Sequence, residues 1–144
     1  MPNYCTNILK IDGDKDIVSH LLDMISSEHT YFDFNKIIPY PEKYAKMDSV
    51  NNGSSYNAGG YQWCIENWGT MGNAISSYIV GKDNHIEIHF TTAWSPPSPV
   101  INALVKLFPK LHFRDEFEGE GGEFEGFREF ENGECIKEEE DDEE

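Results

Sequence analysis

Cations are scarce in this chain. Eleven lysines and arginines face twenty-seven aspartates and glutamates over 144 residues, so it has no basic excess with which to hold nucleic acid or an anionic membrane. No apolar run approaches the roughly 18 residues that span a bilayer. The opening Met1-Pro2-Asn3-Tyr4-Cys5 lacks the basic and apolar regions of a secretion signal. An intracellular, cytoplasmic protein is expected. Cys5, Cys64 and Cys135 are odd in number, far apart and form no CxxC pair, which excludes a disulfide framework and an iron–sulfur cluster and leaves reduced thiols. There is no P-loop, GxGxxG, HExxH or Ser/His/Asp pattern. Gly119-Glu120-Gly121-Gly122 is glycine-rich but acidic, so it is unsuited to cradling phosphate. No cofactor, no metal and no catalysis are expected.

What is present is a large, localised negative charge. Residues 115–144 hold sixteen acids and only Arg128 and Lys137 as bases, whereas residues 1–114 are nearly neutral. With 38% hydrophobic and 13% aromatic residues, a chain of this length builds one core without staples.

Periodicity gives a coarse layout. Residues 4–11 read as a strand, and 14–27 as a helix with Ile17, Val18, Leu21, Leu22 and Ile25 on one face. Residues 31–38 alternate as a second strand, ended by Pro39-Tyr40-Pro41. Residues 42–60 read as an irregular insert, with Glu42–Met47 a candidate helical turn and a mobile loop marked by residues 51–55 and Gly59-Gly60, and 61–69 as a short helix or packed loop. Strands at 74–80 and 85–92 flank a hairpin turn, Gly81–Asn84. Pro96-Pro97-Ser98-Pro99 opens a helix burying Ile101, Leu104, Val105 and Phe108. Residues 111–118 and 123–131 are strands, Asn132-Gly133 is a tight turn, and 134–137 adds a short strand. The order implies an α+β ferredoxin-like sandwich: an antiparallel sheet with two helices on one face, an irregular insert and an extra C-terminal hairpin. The expected organisation is one domain over residues 1–137 and a disordered acidic tail over 138–144.

Several motifs are similar to those of the YubB-type ferredoxin-like proteins of plasmids and phages. They are Met1-Pro2-Asn3-Tyr4-Cys5-Thr6-Asn7, Phe32-Asp33-Phe34-Asn35-Lys36-Ile37-Ile38-Pro39, Glu66-Asn67-Trp68-Gly69-Thr70, Thr92-Ala93-Trp94-Ser95-Pro96-Pro97 and Phe108-Pro109 with Leu111 and Phe113. The chain departs from the pattern at Met71-Gly72-Asn73, where those proteins usually read Lys-Trp-Asp. The resemblance implies the fold and a mobile-element origin; it implies no activity.

Three candidate sites emerge. His85, Glu87 and His89 share a strand face and read as its polar side rather than as a metal site, because the two histidines lie roughly 13 Å apart along the strand. Trp63, Asn67, Trp68, Thr70 and Trp94 are candidates for an aromatic ligand pocket or for core packing. Glu116, Glu118 and Glu120 alternate with Phe113 and Phe117, and Glu123, Glu125, Glu129 and Glu131 lie opposite Phe124 and Phe130. Those seven carboxylates are expected to project from one side of a hairpin. The leading expectation is a non-catalytic inhibitor from a phage or other mobile element. It would occupy a basic host protein that handles nucleic acid, of restriction or CRISPR type, through a surface mimicking nucleic-acid charge. The alternative is a nucleotide-like small-ligand binder using the tryptophans.

Overall fold

The computed structural model describes residues 3–50 and 58–142. Six strands form one antiparallel sheet: β1 (Tyr4–Asp12), β2 (Ser77–Lys82), β3 (His85–Ala93), β4 (His112–Gly119), β5 (Phe124–Glu131) and β6 (Glu134–Asp142), in the spatial order β2-β3-β1-β4-β5-β6. Helices α1 (Lys15–Ile25) and α4 (Ser98–Leu107) follow β1 and β3, and α2 (Glu42–Val50) and α3 (Ala58–Asn67) lie between α1 and β2. The first four strands and the helices α1 and α4 make the β-α-β-β-α-β ferredoxin-like pattern. The insert and the β5–β6 hairpin are additions to it.

The core follows from period-two alternation. In β1, Cys5, Asn7, Leu9 and Ile11 are buried, and in β3 Ile86, Ile88, Phe90 and Thr92 are. β4 continues the same face with Phe113, Asp115 and Phe117. Helix α1 covers it with Val18, Leu21 and Ile25, and α4 with Val100, Ile101, Leu104 and Val105. Asp14 starts α1, its Oδ1 accepting from the Asp16 and Ile17 amides at 2.9 and 3.3 Å. Pro99 in the first turn suits α4 because its missing N–H has no partner to lose there.

Three sequence expectations change. The strand expected at 31–38 is a loop with a 3-10 turn at Phe34–Lys36. Asp33 Oδ1 accepts from the Asn35 amide (3.0 Å) and Asn73 Nδ2 (2.9 Å), while Asn73 Oδ1 accepts from the Phe34 and Ala74 amides. These bonds replace a strand ladder, and Phe32 and Phe34 both enter the core, edge-on to Phe90. The insert is more regular than expected: α2 extends the helical turn at 42–47, and Gly59-Gly60, expected in a loop, lie in α3; the loop expected at 51–55 lies outside the described residues. Residues 138–142, expected as a disordered tail, complete β6, pairing Arg128 with Glu138 through Phe124 with Asp142. An edge strand with both faces in water needs no packing, so consecutive acids are tolerated there. Glu143 and Glu144 lie outside the described residues.

The β4–β5 pairing encloses a feature that charge counting hides. Asp115 faces Arg128 across β4 and β5 on the covered side, with Arg128 Nη2 donating to Asp115 Oδ2 at 3.2 Å. Asp115 is fully buried and Arg128 nearly so. Asp115 Oδ1 and Arg128 Nε find no partner among the described residues. Burial therefore outweighs the attraction of Arg128, and the Asp115 carboxyl is pushed up to about 6. Two backbone features shape the adjoining β5–β6 hairpin. Asn132 and Gly133 both have positive φ (56° and 80°), the requirement of a tight two-residue turn. At Gly126 a Cβ would lie 2.4 Å from the Glu139 carbonyl oxygen and 2.9 Å from Phe117 Cζ, so glycine makes room for the phenylalanine.

Because the folded pKa of Asp115 lies above its ordinary 3.8, its contribution to stability declines as pH rises from about 4 through about 6. Urea denaturation should show the wild type losing stability across that window relative to Asp115→Asn. Arg128→Ala, which strands a buried carboxylate, should cost about 3 kcal/mol or more at neutral pH.

Candidate functional site: the open face of the sheet

Both long helices lie on one side, so among the described residues no helix covers the other face of the sheet, and the registers arrange its side chains in rows across the strands. One row runs Glu87, Lys10, Arg114, Glu129, Lys137. The next runs Tyr78, His89, Ile8, Glu116, Phe127, Glu139, and the third Thr91, Thr6, Glu118, Glu125, Asp141. Ser76 extends the third row beside Thr91. The last two rows line a groove of about 590 Å³ that touches all six strands.

The first row neutralises part of the charge. Lys10 Nζ lies 3.2 Å from Glu116, and Arg114 bridges Glu116 (2.7 Å) and Glu129 (3.3 Å). His112 Nε2 adds a contact to Glu129 at 2.8 Å. The Arg114 guanidinium also stacks 3.9 Å from the centre of the Phe127 ring. Partial burial works against the Glu116 carboxylate, yet Arg114 and Lys10 hold it below the usual range. His112, with Arg114, does the same for Glu129.

The third row is different. Glu118 and Glu125 oppose each other directly, Asp141 lies beside Glu125, and Glu139 lies one row away. Among the described residues none of these four has an ion-pair partner. Like charges set opposite one another weaken strand pairing. The groove thus has a neutral half over β2, β3 and β1, built from Ser76, Tyr78, His89, Thr91, Thr6 and Ile8, and an acidic half over β4, β5 and β6. Tyr78 stacks on His89 with ring centres 4.7 Å apart.

The acidic candidates fall into three groups. Glu116, Glu118, Glu125, Glu129 and Glu131 share the open face as alternation implies, but Glu116 and Glu129 are occupied by cations from β1 and β4. Glu120 and Glu123 lie in the turn joining β4 to β5, so they do not continue the strand face. Glu120 accepts from the Tyr4 amide at 3.4 Å and Glu123 from Asn3 Nδ2 at 3.3 Å. Glu139 and Asp141 join the site unforeseen, because the run containing them reads as a tail. Phe127 and Arg114 were also missed, although their odd and even parities in β5 and β4 match those of Glu125 and Glu116.

His85, Glu87 and His89 do share a face. Glu87 sits between the histidines, 3.0 Å from His89 and 3.6 Å from His85, and His85 Nδ1 pairs with Asp12. Asp12 raises the His85 pKa, and His89 lowers that of Glu87. No cluster able to hold a metal ion occurs among the described residues.

The five residues of the tryptophan hypothesis line no part of the groove. Trp68 is fully buried, its indole N–H donating to the Ile38 carbonyl at 2.8 Å. Trp63 packs edge-on against it at 5.2 Å, with Tyr40 on both. Asn67 Nδ2 donates to the Trp63 carbonyl, and the buried Thr70 hydroxyl donates to the Ala93 carbonyl. Trp94 lies half-exposed in the turn after β3 with φ 79°. Ser95 Oγ also donates to the Gly69 carbonyl at 2.6 Å, and a Cβ on Gly69 would lie 2.5 Å from Pro99 Cδ. The two tryptophan motifs therefore join one turn to another. Cys5 and Cys64 are buried, and burial pushes the Cys5 thiol up to about 12, which leaves it inert.

Residues 76–144 match a family model described as the ferredoxin-like domain in Api92-like protein. The crystal structure of a protein api92 from Yersinia pseudotuberculosis is similar over 100% of this chain and 99% of that one, with a TM-score of 0.66 and 9% identity. That likeness shows the fold. Neither description names an activity, and no curated protein matches. No helix among the described residues is long and apolar enough to cross a membrane.

Replacing Arg114 with Ala should raise the pKa values of both Glu116 and Glu129 towards the ordinary glutamate value. Carboxyl carbon NMR titration of the wild type and variant checks this.

Proposed function

We propose that the protein is a non-catalytic binding module that occupies a basic, nucleic-acid-handling protein through the acidic β5–β6 edge. One observation carries the reading. β6 is the outermost strand, its residues 134–141 are exposed throughout, and Glu138–Asp142 are consecutive acids on an extended backbone. An antiparallel strand rises about 3.4 Å per residue. Its carboxylates therefore advance about 3.4 Å per residue along the strand axis while alternating between its two faces, a charge per unit length close to that of one strand of duplex DNA. A basic groove shaped for a phosphate backbone meets similar charge density here, and release of its counterions favours association at low salt.

The resemblance to YubB-type proteins supplies a biological setting for the proposal: a phage or mobile-element product acting in the host cytoplasm against a restriction or CRISPR effector. The proposed partner-binding set is Glu118, Glu125, Glu138, Glu139, Glu140 and Asp141. Glu116 and Glu129 drop out because Lys10, Arg114 and His112 hold them. The tryptophan-based ligand reading is set aside, since Trp68 and Trp63 are packed against each other and Tyr40.

The test is retention of host-lysate proteins on the immobilised chain. Nucleic-acid-binding proteins should be retained at low salt and displaced by duplex DNA. They should also elute as salt approaches about 1 M, where the screening length is near 3 Å. A variant carrying Glu138→Gln, Glu139→Gln, Glu140→Gln and Asp141→Asn should retain at least tenfold less of them, roughly 1.4 kcal/mol. Glu116→Gln with Glu129→Gln should change little. Unchanged retention by the quadruple variant overturns the reading.

A further inference from the structure

We infer that the open-face groove is a docking site for an extended peptide segment with a neutral half and a lysine- or arginine-bearing half. This rests on the reading of the partner as a basic protein and assigns the place where one segment of it seats. The groove crosses all six strands. At about 4.8 Å between neighbouring strands its length is near 24 Å, the reach of about seven extended residues.

Its chemistry changes along that length. The β4–β5–β6 half presents Glu118, Glu125, Glu139 and Asp141, none of them ion-paired among the described residues. Opposed Glu118 and Glu125 weaken their own strand pairing, and a ligand cation between them relieves that repulsion. Phe127 stands among these carboxylates, and its ring already attracts cations, with Arg114 3.9 Å and Lys137 Nζ 5.7 Å from its centre. A long side chain with an apolar stem and a charged head fits an aromatic wall next to carboxylates. The other half carries the Ser76, Thr6 and Thr91 hydroxyls and the stacked Tyr78–His89 pair. It has no uncompensated charge, so it suits the uncharged part of a segment.

Other occupants fit less well. An exposed sheet face bearing aromatics is a platform on which single-stranded nucleic acid stacks, but phosphates approaching this groove meet four free carboxylates. A second copy of the chain brings a net charge of −16 of its own. A polyamine satisfies the acidic half only.

The experiment measures fluorescence anisotropy of a labelled peptide of about seven residues, with glycine, serine and tyrosine in one half and lysine and arginine in the other. Three variants are compared with the wild type. Glu118→Gln with Glu125→Gln removes two charges inside the groove. Glu131→Gln with Glu134→Gln removes two charges from β5 and β6 at their far end, where the two residues face each other outside both the groove and the partner-binding set. Thr91→Phe fills the neutral half without altering charge. The groove assignment requires about tenfold weaker binding for the first and third variants and less than about twofold for the second.

Equal losses in both charge variants with none in Thr91→Phe overturn the groove while leaving the acidic-edge reading standing. No loss in any variant overturns both. Displacement of the peptide by equimolar spermidine, with binding insensitive to Thr91→Phe, overturns the peptide assignment in favour of a polyamine. Circular dichroism melts of each variant establish that a loss reflects the site and not unfolding.

Discussion

The central strand β1 is the constraint on which the rest of the structure depends. It is hydrogen-bonded along both edges, to β3 over nine residue pairs and to β4 over eight, and its side chains alternate without a break. Cys5, Asn7, Leu9 and Ile11 go under the helices, while Thr6, Ile8, Lys10 and Asp12 go to the other side. A shift of one residue would invert every one of these. Register passes unbroken from β1 through β3 and β4 to β2 and β5, and its one irregularity falls at Glu129/Phe130 against β6. The covered face is therefore the core, and the uncovered face must satisfy its own charges. Lys10 and Arg114 do this for Glu116 and Glu129, and they leave Glu118, Glu125, Glu139 and Asp141 to solvent or to a partner.

Much of this was legible from the sequence, and the misses have physical causes. Alternation identified β1, β3, β4 and β5, and helical spacing identified α1 and α4, because each of these buries one side. The segment 31–38 imitates a strand, since Phe32 and Phe34 both enter the core. A 3-10 turn closed by Asp33 and Asn73 achieves the same burial, and no local pattern announces a hydrogen bond to a residue about forty positions away. The tryptophan motifs carried a true signal with a different meaning. Their glycine, serine and threonine residues bond one loop to the next, which a sequence cannot distinguish from the lining of a pocket.

The acidic C-terminal region was legible in total and illegible in detail. Counting charge over residues 115–144 treats Asp115 as equivalent to its neighbours. Its parity with Phe113 and Phe117 is the signal that separates it, because a carboxylate on the buried side of a strand requires a partner, and Arg128 stands opposite. One of the two bases in the segment is thereby consumed inside the fold. Conversely, the cations that neutralise Glu116 and Glu129 come from β1 and from β4 just ahead of the segment, so no local tally includes them. Pairing across the sheet redistributes the charge from a uniform run into a neutralised row and an unneutralised corner.

That corner sets the two sides of the hairpin against each other. A buried Asp115–Arg128 pair is a weak source of stability in itself, but it lies directly across the strands that present Glu118 and Glu125 on the other side. Glu118 and Glu125 repel each other, and β6 adds further acids along an edge, so the hairpin needs something to hold it in register. Burial of Phe113, Phe117 and Phe130, the Gly126 recess that admits Phe117, and the left-handed Asn132-Gly133 turn supply it. The charges on the exposed side contribute nothing to that anchoring and oppose it where they stand unpaired. The hairpin is thus held by its buried side against a repulsion that its exposed side carries.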